Sequence, residues 1–477
     1  MSLQTAPPEI LDRICRCLDA STILKLGQVS HQFRCIVQSS GLRYKVELEL
    51  AGLRDGRLGN TSSAARLDML KAYQAAWANF DWSQSTQTTV QFDGLYYEVA
   101  GNVVATYSFE AGFLFTRIPS LLRHIPHQQW SINHLFCAVN DFSLNLSLDL
   151  LVVVELESSK HIVVRFLSLQ TGRPHPLAQQ PHLSAELESP KSSPSYTFTI
   201  RIFGEYVGVM TEPEGGSFEL HVWEWKTGIL QKHLFDAEMT SFAFLDHQRL
   251  LVSGFTDLQP ELRVLEINDS PANSFILVLP ELVLDPADVK LHIRTEAPPS
   301  WPADARLPEP FSTSHDERLF VVEFGSWDSI RGAEPAYLLC VPLSAILNLI
   351  HNPVKGTSKH TLFWERWGPS STRMLAVPKL PNSWACYVYG QRCVIQTDKT
   401  QWKTLDFNQF DLDPLARIQH ETTVDKRHRM FVQSVVTSQP FTLQSISTPL
   451  STYAVMLAED AIVVVTKEEN ALSIFSI

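Results

Sequence analysis

Leu150-Leu-Val-Val-Val-Glu-Leu-Glu-Ser-Ser-Lys-His-Ile-Val-Val-Arg-Phe-Leu-Ser168 sets an apolar run, a short polar turn and a second apolar run end to end. Neither run carries the three- and four-residue steps of a helical stripe, and both are rich in β-branched residues. The stretch predicts two antiparallel strands joined at Ser158-Ser159-Lys160. The same unit recurs, with turns at Ala100-Gly101-Asn102, Gly204-Glu205, Asp246-His247-Gln248-Arg249, Asp316-Glu317, Gly390-Gln391-Arg392 and Glu459-Asp460. From about residue 90 onward the chain therefore reads as all-β.

Residues 218–225 before Lys226-Thr227-Gly228, 162–169 before Thr171-Gly172, and 261–267 before Asn268-Asp269 each read as a strand ending at a turn. This pattern resembles degenerate WD-type repeats. The resemblance implies a β-propeller of six to eight blades, with a pair of β-sandwiches as the competing arrangement. The turns recur about every 60 residues, longer than the ~40–45 of WD-type blades or the ~50 of kelch blades, so insertions are required. Residues 174–194 hold five prolines and 286–310 hold six, which predicts long loops between blades rather than strands there. The apolar run Leu472-Ser-Ile-Phe-Ser-Ile477 is expected to complete a sheet.

The first 80 residues follow a different pattern. Pro7-Pro8 precede Ile10, Leu11, Ile14 and Leu18, one stripe of a helix. Asp19 or Ser21 can cap a second helix bearing Ile23, Leu24 and Leu26, which Gly27 is expected to end; Ser30 can cap a third bearing Phe33, Ile36 and Val37. So small a unit exposes more apolar surface than it can bury alone, and it needs a partner. Residues 41–50 alternate like a strand, yet Leu42, Val46 and Leu50 make a four-step stripe that extends the block as a helix. Gly52, Gly56 and Gly59 lack the spacing of a phosphate cradle and read as a linker. Ser62 or Ser63 then caps a helix presenting Leu67, Leu70, Tyr73 and Trp77.

Pro7-Pro8-Glu9-Ile10-Leu11-x-x-Ile14-x-x-x-Leu18-Asp19, followed by Leu24, Val29-Ser30 and Phe33, resembles the F-box motif over residues 6–45, with Ala6 where the family usually has Leu. The segment 77–82 is similar to one that follows the F-box in large fungal families. The resemblance implies a non-catalytic substrate receptor of an SCF cullin-RING ubiquitin ligase. Pro7, Pro8, Ile10, Leu11, Ile14, Leu18, Val29 and Phe33 would bind the Skp adaptor, and through it a cullin. The remainder would capture an unknown protein for ubiquitination. The expected organisation is an α+β multidomain chain: an F-box domain at 1–50, a helical linker at 51–89 and a β-propeller-like substrate-binding domain at 90–477. Three alternatives compete: a plain helical cap on the larger domain, a propeller enzyme such as a glycosidase, and a scaffold that binds the adaptor without promoting degradation. Two or more carboxylates converging in the central channel would favour the enzyme.

At 477 residues, 44% hydrophobic and 19% charged, the chain is too apolar to be mainly disordered. Its longest apolar runs fall far short of the ~18 residues that cross a bilayer, so no membrane role is expected. The start of the chain lacks a basic, apolar secretion signal, which argues for a cytoplasmic or nuclear location. Seven cysteines without paired spacing are expected as free thiols. Residues 1–80 hold ten Lys/Arg and seven Asp/Glu, whereas the rest holds 29 and 44; that acidic bulk disfavours nucleic acid. Lys426-Arg427-His428-Arg429 reads as a solvated loop.

No cofactor and no metal are expected. His124, His127, His134 and Cys137 carry zinc-type donors, but the loop of six is short for a finger and Cys137 sits in an apolar run. Ser314-His315-Asp316-Glu317 is read as a hairpin turn, and Asp411 and Asp413 before Pro414 as turn chemistry. Trp223, Trp225, Trp364, Trp367, Trp384 and Trp402 are expected mainly in the core. Ser189-Pro190 and Ser193-Pro194 are candidate phosphate acceptors in a proline-rich insertion.

Overall fold

The computed structural model describes residues 6–56, 61–80, 85–91, 96–188, 196–213, 217–268, 274–296, 309–314, 316–326, 335–352, 361–381, 386–408, 417–418, 420–428, 430–447, 452–466 and 471–477. Four helices open it: α1 (Pro8–Arg16), α2 (Ala20–Val29), α3 (His31–Val37) and α4 (Ser40–Leu50). The local signals act as expected at three starts. Asp19 accepts from Thr22 N at 2.9 Å, Ser30 from Phe33 N at 3.2 Å, and Ser62 caps α5 (Ser63–Ala78) through Ala65 N at 3.3 Å. Gly27 does not end α2. It keeps helical backbone, and the chain leaves the helix only at Ser30, whose extended φ of −154° also sets the next cap. Leu11, Cys15, Ile23, Phe33, Ile36, Leu42 and Val46 form the core of this block, and Ala6 packs against its edge.

Seven four- or five-stranded sheets follow, each built mostly from consecutive antiparallel strands, with a parallel fifth strand, Thr361–Leu362, beside Phe275–Val278 in blade 4. Their first strands are Tyr96–Ala100, Asp141–Asn145, Tyr196–Phe203, Met239–Phe244, Val289–Arg294, Val388–Tyr389 and Thr452–Leu457. This is a seven-bladed β-propeller. Its apolar cores lie between neighbouring sheets: Phe113, Phe142 and Leu151 join blades 1 and 2, and Val164, Ile200 and Trp223 join blades 2 and 3. Both faces of each blade are thus buried, which is why the second strand of blade 2, Leu150–Ser158, opens with five consecutive buried apolar residues instead of alternating. The ring closes by pairing Thr86–Gln91 with Ala471–Ser476, so the outer strand of the last blade comes from the chain segment ahead of the first. That outer strand straddles the boundary expected at residue 90.

Each of the seven turns read from the sequence falls in a different blade. Five join first to second strands, Ser158-Ser159-Lys160 joins second to third in blade 2, and Asp316-Glu317 leads into the second strand of blade 5. The two proline-rich segments are not simply loops. Residues 174–194 contain the outer strand of blade 2, His182–Glu186, and 286–310 contain the first strand of blade 5, Val289–Arg294. In both, proline stands just ahead of the strand (Pro181, Pro286), where no ladder hydrogen bond is lost. The added length comes partly from blade 5, whose insertion carries α6 (Leu343–His351) and α7 (Trp364–Ser371). Trp223, Trp225, Trp364, Trp367 and Trp402 are all buried. Trp384, His315, Asp411, Asp413 and the Ser189 and Ser193 motifs lie outside the described residues. The seven cysteines are free thiols, and no described helix is long and apolar enough to cross a membrane.

The helical block is locked to the propeller. After α4 the short strand Leu53–Asp55 pairs with Phe311–Thr313, from the segment between the first and second strands of blade 5. The Tyr44 hydroxyl stands 2.8 Å from Asp55 Oδ1 and 3.1 Å from the Pro310 carbonyl. A Cβ at Gly56 would lie 1.8 Å from the Glu309 carbonyl oxygen, so only glycine fits this crossing. Helix α5 packs Leu70, Tyr73 and Trp77 into a core shared with Tyr387, Val388 and Trp402.

Candidate functional site

Two surfaces have the makings of a site. The first is the outer face of the helical block. Helix α1 begins at Pro8, which fixes helical φ where no intrahelical donor is needed. One side of α1 buries Leu11 and Cys15, and the other leaves Ile10 and Ile14, four residues apart, 45% and 41% exposed. Helix α2 exposes Leu24 and Val29, the latter by 69%. Pro7 and Pro8 are also exposed, and Leu18 is half-buried. Leu11 and Phe33, by contrast, lie inside the block's own core. The sequence-named set therefore divides into residues that shape the block and residues that a partner can touch.

The match to known proteins falls on this block: the F-box domain model covers residues 7–45. This chain carries an F-box. No curated protein matches the chain. Among solved structures it is similar to BamB from Moraxella catarrhalis at 9% identity and TM-score 0.32, covering 82% of this chain and all of that one. It is also similar to the WD40 domain of Toxoplasma gondii coronin at 8% identity and TM-score 0.34, covering 82% and 86%. At scores this low the likeness adds nothing to the fold read from the strand pairing. The F-box and the propeller are joined at the rim where first strands end: Tyr73 of α5 donates to the Glu459 carbonyl at 2.8 Å, and Arg392 lies over the Trp77 ring.

The second surface is the central channel, with a volume of about 780 Å³. First strands from six blades line it, and they bring charged groups together: Glu98, Asp141, Arg201, Lys290, His292, Arg294 and Glu296. The carboxylate convergence set out as favouring an enzyme is therefore present. Glu98 accepts from Ser143 Oγ at 3.0 Å, and the Cys386 thiol donates to Glu296 at 3.2 Å. Burial, with help from Glu296 and Asp141, raises the Glu98 carboxyl well above its ordinary range. Burial also pushes Asp141 and Glu296 up to about 7. Arg201 Nε, Glu98 Oε2, His292 Nε2 and Thr295 Oγ1 are buried without a partner among the described residues.

Sequence reasoning foresaw a central channel but named none of the residues that line it. The trace it left is alternation in Lys290-Leu-His292-Ile-Arg294, where every second residue is polar and faces inward. The donors His124, His127, His134 and Cys137 do not gather into a three-ligand cluster in the structure.

The channel carboxylates give a pH prediction. A carboxyl whose native pKa is raised holds a proton that the unfolded chain has released, so its contribution to stability falls as pH rises from the ordinary range toward 7. Glu296→Gln should therefore melt above wild type near pH 8, and the advantage should shrink toward about pH 5. Thermal melts across that range check it; an offset independent of pH would contradict the assignment.

Proposed function

We propose that the chain is a substrate receptor: the F-box binds a Skp adaptor, the adaptor connects it to a cullin, and the propeller holds a protein for ubiquitination. The observation that carries this reading is the exposure of Ile10, Ile14, Leu24 and Val29 on a block whose core is already filled by Leu11, Ile23, Phe33 and Ile36. Such apolar groups gain by being covered. The chain's own part would be positional. Pairing of Leu53–Asp55 with Phe311–Thr313 and packing of α5 fix the F-box relative to the propeller, so a captured protein would be presented at a defined distance from the recruited conjugating enzyme. The captured protein is proposed to dock at the far rim, where the first strands begin; among the described residues no helix lines the channel. The proposed setting is the cytoplasm or nucleus.

The test is titration of purified adaptor into the full chain. Replacing Ile10 and Ile14 with Asp puts two charges into the proposed interface, and because both side chains are exposed the fold should survive. Each buried charge costs several kcal/mol, so binding should weaken by at least about a thousandfold. Equal binding by the folded double variant would refute the assignment.

The channel favours a second reading, hydrolysis by a carboxylate pair, because two groups there have pKa values raised toward those of general acids. Turnover of a glycoside by wild type and its loss in Glu296→Gln would support this reading; inactivity of wild type across a glycoside panel would count against it.

A further inference from the structure

The outer half of blade 3 holds a cluster that neither the adaptor face nor the channel uses. Glu219 and His221 stand two residues apart in the strand Phe218–Glu224, so both side chains leave the same face of the sheet. His233, in the neighbouring strand Ile229–Asp236, pairs directly with His221. Alternation and register thus bring a carboxylate and two imidazoles to one place. His233 Nε2 lies 2.9 Å from Glu219 Oε1, and His221 Nε2 lies 3.5 Å from the same oxygen. The second Glu219 oxygen accepts from the Glu188 backbone N–H at 3.0 Å, which fixes the carboxylate plane. Glu188 Oε1 also stands 3.7 Å from His233 Nδ1.

Among the described residues this is the one place where three ligand atoms of His, Cys, Asp or Glu lie within 4.8 Å of one another. Glu219 and His221 are 2% and 4% exposed, while His233 opens to solvent and supplies an entry path. His221 stacks on Trp223 with ring centroids 5.2 Å apart, and its Nδ1 is buried without a partner.

We propose that Glu219, His221 and His233 form a binding site for a divalent transition ion of the zinc class. Two imidazole nitrogens and a carboxylate oxygen are three of the four ligands that tetrahedral zinc takes, with water as the fourth. Calcium and magnesium are disfavoured because they prefer oxygen ligands in larger number. The two histidine rings are stacked 4.4 Å apart at 21°, so both lone pairs cannot meet one ion unless a ring turns. His233, the exposed one, has the room. Loaded, the ion ties the outermost strand of blade 3, which exposes Ile229, Leu230 and Phe235, to its neighbour. The alternating Glu-x-His was visible in the sequence, but the cross-strand histidine was not, and no metal was expected.

The experiment is titration of the chelator-stripped full chain with Zn²⁺ against a chromophoric competitor, with thermal melts in parallel. One zinc per chain should bind with a dissociation constant in the micromolar range or tighter, and the melting temperature should rise. His233→Ala and Glu219→Gln should each weaken binding by at least about tenfold. His233 is exposed, so its variant is expected to fold and serves as the deciding comparison if Glu219→Gln does not; circular dichroism checks both. No zinc uptake by wild type, or uptake that His233→Ala leaves unchanged, would overturn the site.

Discussion

Removal of residues 472–477 is expected to abolish cooperative folding of the propeller, not merely to shorten its end. The strand Ala471–Ser476 is hydrogen-bonded on both sides, to Thr86–Gln91 and to Ala461–Thr466. Its loss would therefore strand the outer strand and open the ring between blades 7 and 1. Leu472 and Ile474 are fully buried and Phe475 is 6% exposed. At roughly 1.5–3 kcal/mol each, these three side chains alone contribute about 5–9 kcal/mol, within the 5–15 kcal/mol that typically separates a folded protein from its unfolded chain. Scanning calorimetry should show loss of the main transition, and the truncated chain should aggregate. An unchanged melting temperature would mean that this strand does not close the ring.

Arg123→Met is expected to cost about 3–5 kcal/mol, because it leaves buried carboxylates without their counter-charge. Arg123 is fully buried and reaches Asp460 at 2.9 Å, Glu459 at 2.9 Å and Glu309 at 2.8 Å. These groups come from blade 7 and from the segment between the first and second strands of blade 5, while Asn102 of blade 1 donates to Asp460 at 2.8 Å. The Glu459 carboxylate also accepts from Thr313 N at 2.8 Å, beside the strand that holds the F-box in place. One guanidinium thus ties three distant parts of the ring and the root of the helical block. Burial already raises the Asp460 carboxyl despite Arg123. Without the arginine it should rise further, so the variant's deficit should grow as pH increases and shrink where the carboxyls can take up protons. Chemical denaturation at two pH values checks both size and sign; a variant as stable as wild type at neutral pH would show that the cluster is not holding the ring together.

What was legible in the sequence was local. Ser30 was legible as a cap outright, and Asp19 and Ser62 each as one of two candidates, because a cap needs only a side-chain oxygen and an N–H three residues on. Six of the seven turns showed for the same reason and join consecutive strands of one blade; Asp316-Glu317 joins no hairpin, because the strand before it, Phe311–Thr313, pairs with Leu53–Asp55 instead of Leu319–Ser326. Proline counting misjudged 174–194 and 286–310, since what matters is where a proline sits relative to the ladder, and Val289-Lys-Leu-His-Ile-Arg294 carried the strand alternation in plain view. Of the adaptor set, spacing alone did not separate Ile10 and Ile14, which face outward, from Leu11 and Phe33, which hold the block together. The channel groups and the Glu219, His221 and His233 cluster depend on ring closure and cross-strand register, neither of which a single segment encodes.

Delivery of captured proteins to a ubiquitin ligase, the role proposed for this chain, can be read from the abundance of proteins retained by the full chain, by pull-down and mass spectrometry, with cullin activation intact and blocked. A defined set of retained proteins should accumulate when activation is blocked, and the Ile10 and Ile14 double variant should retain the same set without adaptor or cullin. Retained proteins whose abundance does not respond to the block would contradict that role.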